Sequence, residues 1–222
     1  MSPKRRLAMR NVIGLCGSSR LAASWPEVRM TSSILRKARE SAELVARFVE
    51  DTGPELERAA HALAGRFRRG GQLFACGNGG SSCDAQHVAV EFQHPIIEKR
   101  RALPATALVC DTALLTAIGN DGDFAQVFSL QLALTCREVD AVLGISTSGT
   151  SANVLRAMRV ARERRALTLA LSGRDGGPLA DACDHVFVVP SWSIHRIQEV
   201  HTVLLHLLWD QTHVALGAPD VL

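Results

Sequence analysis

The sequence predicts an α/β fold, a three-layer sandwich in which a five-stranded, mostly parallel sheet is flanked by helices on both faces. Three observations carry this. Short apolar runs of strand length alternate with stretches of helical periodicity from residue 73 onward. Two of those runs end in Gly/Ser-rich turns that open a helix, at residues 77–82 and 146–151. The chain has 222 residues, 47% of them hydrophobic, which is ample for the core of one domain with terminal additions.

Residues 1–29 stand outside the pattern. Lys4, Arg5, Arg6, Arg10, Arg20 and Arg29 face only Glu27, a net +5, which leaves −2 for the remainder of a chain of formal charge +3. Arg10 and Arg20 interrupt the apolar stretch, so a secretory signal fits poorly, and the Arg-rich character of an organellar transit peptide fits only in part. The expectation is a disordered extension, or a translation start upstream of Met30, with the domain proper over 30–222. The body is not basic, which argues against nucleic-acid binding by general electrostatics. No apolar run reaches the ~20 residues of a membrane helix. Six cysteines are scattered without a C-x-x-C pair, as in a cytoplasmic enzyme with reduced thiols.

Helical spacing begins at Ser33, with Ile34, Leu35, Ala38, Ala42, Val45, Phe48 and Val49 at three- and four-residue steps. Gly53-Pro54 predicts a break, with Pro54 opening a second helix to about Arg69. Leu73 to Cys76 reads as a buried strand. Three glycines follow within four residues, and Ser81 and Ser82 are placed to cap the next helix. Pro104 to Val109 is a second strand. Asp111 or Thr112 caps a short helix to Ile118, Gly119 to Gly122 is a turn, and Phe124 to Cys136 is a helix. Asp140 to Ile145 is a third strand, and a helix runs from Ala152 to about Arg164. Leu167 to Leu171 and His185 to Val189 are the fourth and fifth strands, and the last helix spans about Ser193 to Leu216.

The chemistry concentrates at the turns. A strand, a Gly/Ser turn and a helix start form an anion site, because unpaired N–H groups and the helix dipole both favour negative charge. This singles out Asn78, Gly79, Gly80 and Ser81 in the first turn. In the second, Ser146, Thr147, Ser148, Thr150 and Ser151 place five hydroxyls in six residues, suited to a phosphate. Neither turn is followed by the Lys of a Walker sequence or matches the Rossmann fingerprint. His87 and Glu91, four residues apart, project from one helix face among apolar neighbours. Gln198 and His206 are eight apart on the last helix, about 80° apart around it. Together these four offer N and O donors suited to zinc or a similar divalent ion, although spacing alone leaves open whether the two pairs meet.

Several segments occur in a telling order: Cys76-Gly-Asn-Gly-Gly-Ser81, Asp84-Ala-Gln-His87 with Glu91, Gly119-Asn120-Asp121, Gly144-Ile-Ser-Thr-Ser-Gly149 with Ser151-Ala-Asn153, Ser172-Gly-Arg-Asp-Gly-Gly177, and Arg196-Ile-Gln-Glu199 with His206. They resemble the sugar-isomerase (SIS) domain, a flavodoxin-like, Rossmann-like fold, and within it the phosphoheptose isomerases, over about residues 33–215. The resemblance implies a homotetramer with active sites between subunits, and conversion of D-sedoheptulose 7-phosphate to D-glycero-D-manno-heptose 7-phosphate in heptose biosynthesis. It implies Glu91 and His206 as the acid/base pair. It also implies one zinc ion per subunit on His87, Glu91, Gln198 and His206, and sugar contacts that include Glu91, Asn120, Asp121 and Gln198. The departures lie at the rim that grips the sugar. A Gly-Arg segment common after the Glu is Phe92-Gln-His-Pro-Ile-Ile97 here, the aromatic after the Asn-Asp turn is Gly122, and His195 precedes Arg196. Similar proteins act as tetrameric adaptors of a DNA-replication initiator, but lack the Glu and terminal His that this chain has. Isomerisation of another sugar phosphate is the other alternative, and a sugar-phosphate sensor would need a helix-turn-helix domain ahead of residue 33.

Overall fold

A computed structural model describes residues 32–96 and 100–220. The expected extension over 1–29, Met30 and Ile97 lie outside the described residues. The contacts divide the chain into a unit Met1–Lys37 and a unit Ala38–Leu222. Of the first, the described part is exposed and holds the opening of helix α1. All packing that follows lies within the second.

The elements are α1 (Ser33–Arg68), β1 (Leu73–Gly77), α2 (Gly80–Gln93), β2 (Ala105–Ala107), α3 (Thr112–Asp121), α4 (Ser129–Thr135), β3 (Ala141–Ser146), α5 (Ala152–Glu163), β4 (Leu167–Gly173), β5 (His185–Val189) and α6 (Ile194–Ala215). All four strand pairings are parallel, and the order is β2-β1-β3-β4-β5. The expected five-stranded, three-layer architecture is therefore present, and the sheet is parallel throughout.

Alternation along each strand feeds two cores. Leu73 and Ala75 of β1, with Leu143 and Ile145 of β3, pack under α1, α2 and α6. Phe74 and Cys76, with Val142, pack under α4 and α5 on the opposite face, with Ile118 of α3 against them. Gly144 faces that second layer. A Cβ there would lie 2.9 Å from both Met158 and Val154, so its absence lets α5 settle against β3.

Three expectations are corrected. The two helices predicted around Gly53-Pro54 are one continuous helix, α1, with Pro54 inside it. Proline removes one backbone bond, at a cost of about 3 kcal/mol. The apolar face on either side, from Phe48 to Leu56, Ala60, Leu63 and Phe67, is buried against the sheet and outweighs that loss. The predicted turn at Gly119 to Gly122 is the last turn of α3, which Gly122 ends through a bond to the Ile118 carbonyl. The single helix predicted from Phe124 to Cys136 is a 3₁₀ turn over Phe124–Gln126 followed by α4.

Candidate active site

The strand order reverses direction between β1 and β3, and a parallel sheet binds ligands in the crevice outside the strand ends at such a point. Both Gly/Ser turns leave the sheet there, on adjacent strands. The first turns tightly because a Cβ on Gly77 would come within 2.4 Å of the Ser81 carbonyl, and because Gly79 adopts φ +55°. The expected hydroxyl cap is not formed. Gly79 is the N-cap with no side-chain bond, Ser82 Oγ donates back to the Gly79 carbonyl at 2.6 Å, and Ser81 is buried. The Ser81 and Ser82 amides close onto the Asn78 and Gly79 carbonyls, so the exposed backbone of Gly79 and Gly80 is what faces the crevice side of this turn.

The second turn is built from its own hydroxyls. Ser146 Oγ and Ser151 Oγ lie 2.9 Å apart, as do Ser148 Oγ and Thr150 Oγ1, and the Thr150 amide donates to Ser148 Oγ at 3.3 Å. Thr147 and Ser148 are half-buried. Gly149, at φ +66°, lies so close to the Gly176 carbonyl that a Cβ would collide with it at 1.8 Å. The loop after β4 therefore backs the turn after β3. Ser172 Oγ bonds the Ser146 and Gly176 carbonyls, and buried His201 donates from Nε2 to the Ser172 carbonyl at 2.9 Å. Burial drives the His201 imidazole down to about 4, against the bond to Ser172, so it stays neutral at physiological pH.

Sequence reasoning missed the residue that joins the two turns. Asn78 Nδ2 donates to Asn153 Oδ1 at 2.9 Å, and Asn153 Nδ2 donates to Asn78 Oδ1 at 2.8 Å. Asn153 is buried in the first turn of α5, beside Val154. Asp84 was missed as well. It is buried one turn before His87, its Oδ2 has no partner among the described residues, and burial pushes its carboxyl up to about 6 against the pull of His87.

The helices α2 and α6 bring three of the four expected metal ligands together. His87 Nε2 lies 3.2 Å from His206 Nε2 and 3.5 Å from Glu91 Oε1, and one donor atom from each residue falls within 4.8 Å of the others. Zinc–ligand bonds of ~2.0–2.1 Å in a tetrahedron set ligand atoms about 3.3 Å apart. The two measured separations sit near that edge, and two imidazoles with a carboxylate are a zinc donor set. Gln198 is elsewhere. Its amide lies against Gly80, where a Cβ would meet Nε2 at 2.1 Å, two helical turns and about 12 Å of rise before His206. It thus sits at the end of the crevice where Asn78, Gly79, Gly80 and Ser81 lie. Asn120 and Asp121 bond each other at 2.7 Å on the exposed last turn of α3, and no bond among the described residues joins them to the His87 group.

The SIS domain family matches residues 38–173. The phosphoheptose isomerase of Pelobacter propionicus is 45% identical over 184 residues, 83% of this chain and 96% of that protein. That of Roseiflexus sp. is 42% identical over 82% of this chain and 93% of its own. Among solved structures, the phosphoheptose isomerase of Neisseria gonorrhoeae superposes with a TM-score of 0.75 at 39% identity, covering 80% of this chain and 95% of that one. The shared fold, the two hydroxyl- and glycine-rich turns and the paired helices bearing His87, Glu91 and His206 agree with these likenesses, and the chain belongs to the phosphoheptose isomerase family of SIS-domain proteins.

Proposed function

We propose that the chain is an aldose–ketose isomerase that converts D-sedoheptulose 7-phosphate to D-glycero-D-manno-heptose 7-phosphate. The observation that carries the reading is the juxtaposition of Glu91 with His206 on two packed helices, the first of which starts at the first Gly/Ser turn. The phosphate binds at residues 146–151, where the hydroxyls of Ser146, Ser148, Thr150 and Ser151 cluster, and Gln198 with Asn78 to Ser81 holds the sugar hydroxyls. Binding energy at the phosphate end fixes the reacting carbons.

The reaction moves protons only, so no redox partner is needed. Glu91 takes a proton from C1 of the open-chain ketose while the C2 carbonyl oxygen is protonated, giving an enediol. The O1 hydroxyl then loses its proton and Glu91 returns one to C2, leaving an aldose. His206 serves the oxygens and ring opening. His87, Glu91 and His206 would hold a zinc ion and leave a fourth position for the sugar. When bound, the ion polarises the carbonyl–hydroxyl end of the substrate.

We further read the protein as a cytoplasmic homotetramer with active sites between subunits, in carbohydrate metabolism. Exposed Val90, Ile96, Leu114 and Trp192 support assembly, since large apolar side chains favour burial. The free thiols of Cys76, Cys83, Cys110, Cys136 and Cys183 support a reducing compartment. Among the described residues no helix is long and apolar enough to cross a membrane.

The substrate is tested by offering sedoheptulose 7-phosphate and shorter ketose phosphates to the purified enzyme and resolving products by NMR. The heptose aldose phosphate should appear at least tenfold faster than any other product. Faster turnover of a hexose or pentose phosphate would transfer the assignment to that sugar.

A further inference from the structure

The helices α2 and α6 run side by side in one direction and meet at three levels. Gln198 lies on Gly80 at the first, His206 faces His87 at the second, and His213 stacks on Phe92 at the third, with centroids 5.9 Å apart and planes 18° apart. The middle level carries the chemistry. The third carries none, yet it is heavily built. Trp209 lies 4.8 Å from His213, the Arg100 guanidinium sits 4.7 Å over the Trp209 ring, and Phe92 is 5.4 Å from Phe67 of α1. Arg100 Nη2 pairs with Asp210 Oδ1 at 2.6 Å, the two side chains 1% and 6% exposed. The neighbouring Arg101 carbonyl lies 3.2 Å from His213 Nε2. His206, Trp209, Asp210 and His213 are at i, i+3, i+4 and i+7, so they share one face of α6. Phe92 adjoins Glu91 in sequence.

Stability is a poor reason for this pair. Burying two charges costs about as much as their attraction returns, and apolar side chains of similar size usually serve as well or better. What Arg supplies and an apolar residue does not is direction. Its planar group can stack on a ring while its charge lies against a carboxylate, and Arg100 does both, over the Trp209 ring and 2.6 Å from Asp210 Oδ1. We propose that Arg100 is a positioning residue: it closes a ladder, Phe67–Phe92–His213–Trp209–Arg100, that sets the rotation and height of α6 against α2 and so the spacing of His206 from His87 and Glu91. The inference rests on the isomerase reading of those three residues. A misplacement of ~1 Å costs on the order of 10²-fold in rate, so a small helix slip registers in turnover before it registers in folding.

The test uses two full-length variants. Arg100→Met with Asp210→Leu removes both charges together and leaves no uncompensated ion, and Arg100→Lys keeps the ion pair while losing the planar stack. Each is compared with wild type on whichever sugar phosphate the wild type turns over, so a mistaken substrate does not disturb this arm, and zinc affinity is measured by equilibrium titration. In the cooperatively melting double variant, kcat should fall roughly 10- to 100-fold with KM within about twofold, and zinc affinity should fall roughly tenfold. Arg100→Lys should keep the melting temperature near wild type and still lose kcat about tenfold. Wild-type kcat and zinc affinity in a folded double variant, or wild-type kcat in Arg100→Lys, would overturn the proposal.

Discussion

Glu91 is asked to accept a proton from one carbon and, after exchange with solvent, to deliver one to the neighbouring carbon, and its surroundings suit that. It is half-buried, 3.5 Å from His87 and beside His206. Glu91→Gln keeps the size and one carbonyl oxygen but removes the base. Turnover should drop by at least ~10²-fold with sugar-phosphate binding nearly intact, because the turn at 146–151 proposed to hold the phosphate is a separate structure. Ser148→Ala should give the converse, weaker sugar-phosphate binding with a smaller loss in kcat. Steady-state kinetics with metal content measured on the same samples separates the two, and an active, metal-loaded Glu91→Gln enzyme would transfer the carbon proton to another residue. His87, Glu91 and His206 were legible in the sequence because polar side chains at helical spacing amid apolar neighbours need a partner or a task. Asn153, Ser172 and His201 were not, because each acts on a turn elsewhere in the chain that only the folded sheet brings near. Gln198 shares α6 with His206, and its amide lies against Gly80.

The elements were legible wherever a strand or helix had clear punctuation. β1, β3, α5, β5 and α6 lie within a residue or two of their sequence-based bounds. Two of the three misreadings share a cause, since Gly and Pro report only a local preference. Pro54 lies in a helix held by its buried face, and Gly119 lies in a helix started by Asp111, whose side chain accepts from the Leu114 amide at 2.9 Å. The metal proposal belongs at this scale, because neither helix alone supplies a site. Protein purified without chelator should carry about one zinc ion per chain. His87→Ala, which removes one of three donors, should lower the bound zinc at least tenfold by elemental analysis while thermal melting stays cooperative. Wild-type zinc content in His87→Ala would show that the ion lies elsewhere.

For the whole molecule, the three-layer α/β class followed from the alternation of strands and helices. The strand order did not, because each crossover can lie on either side of β1 and the apolar pattern of a fully buried strand does not say which. That order puts the two Gly/Ser turns on neighbouring strands, and it puts α2 and α6 together although they follow the first and last strands. The turn proposed for the phosphate and the cluster proposed for proton transfer thus come from distant parts of the sequence to the same end of the sheet. In the proposed reaction the His87–Glu91–His206 cluster moves a proton between carbons through an enediol. Turnover of sedoheptulose 7-phosphate in deuterated water measures it most directly. The aldose product should carry deuterium at C2, and the incorporation should vanish with Glu91→Gln. Product formed at the wild-type rate with no solvent deuterium at C2 would contradict the account.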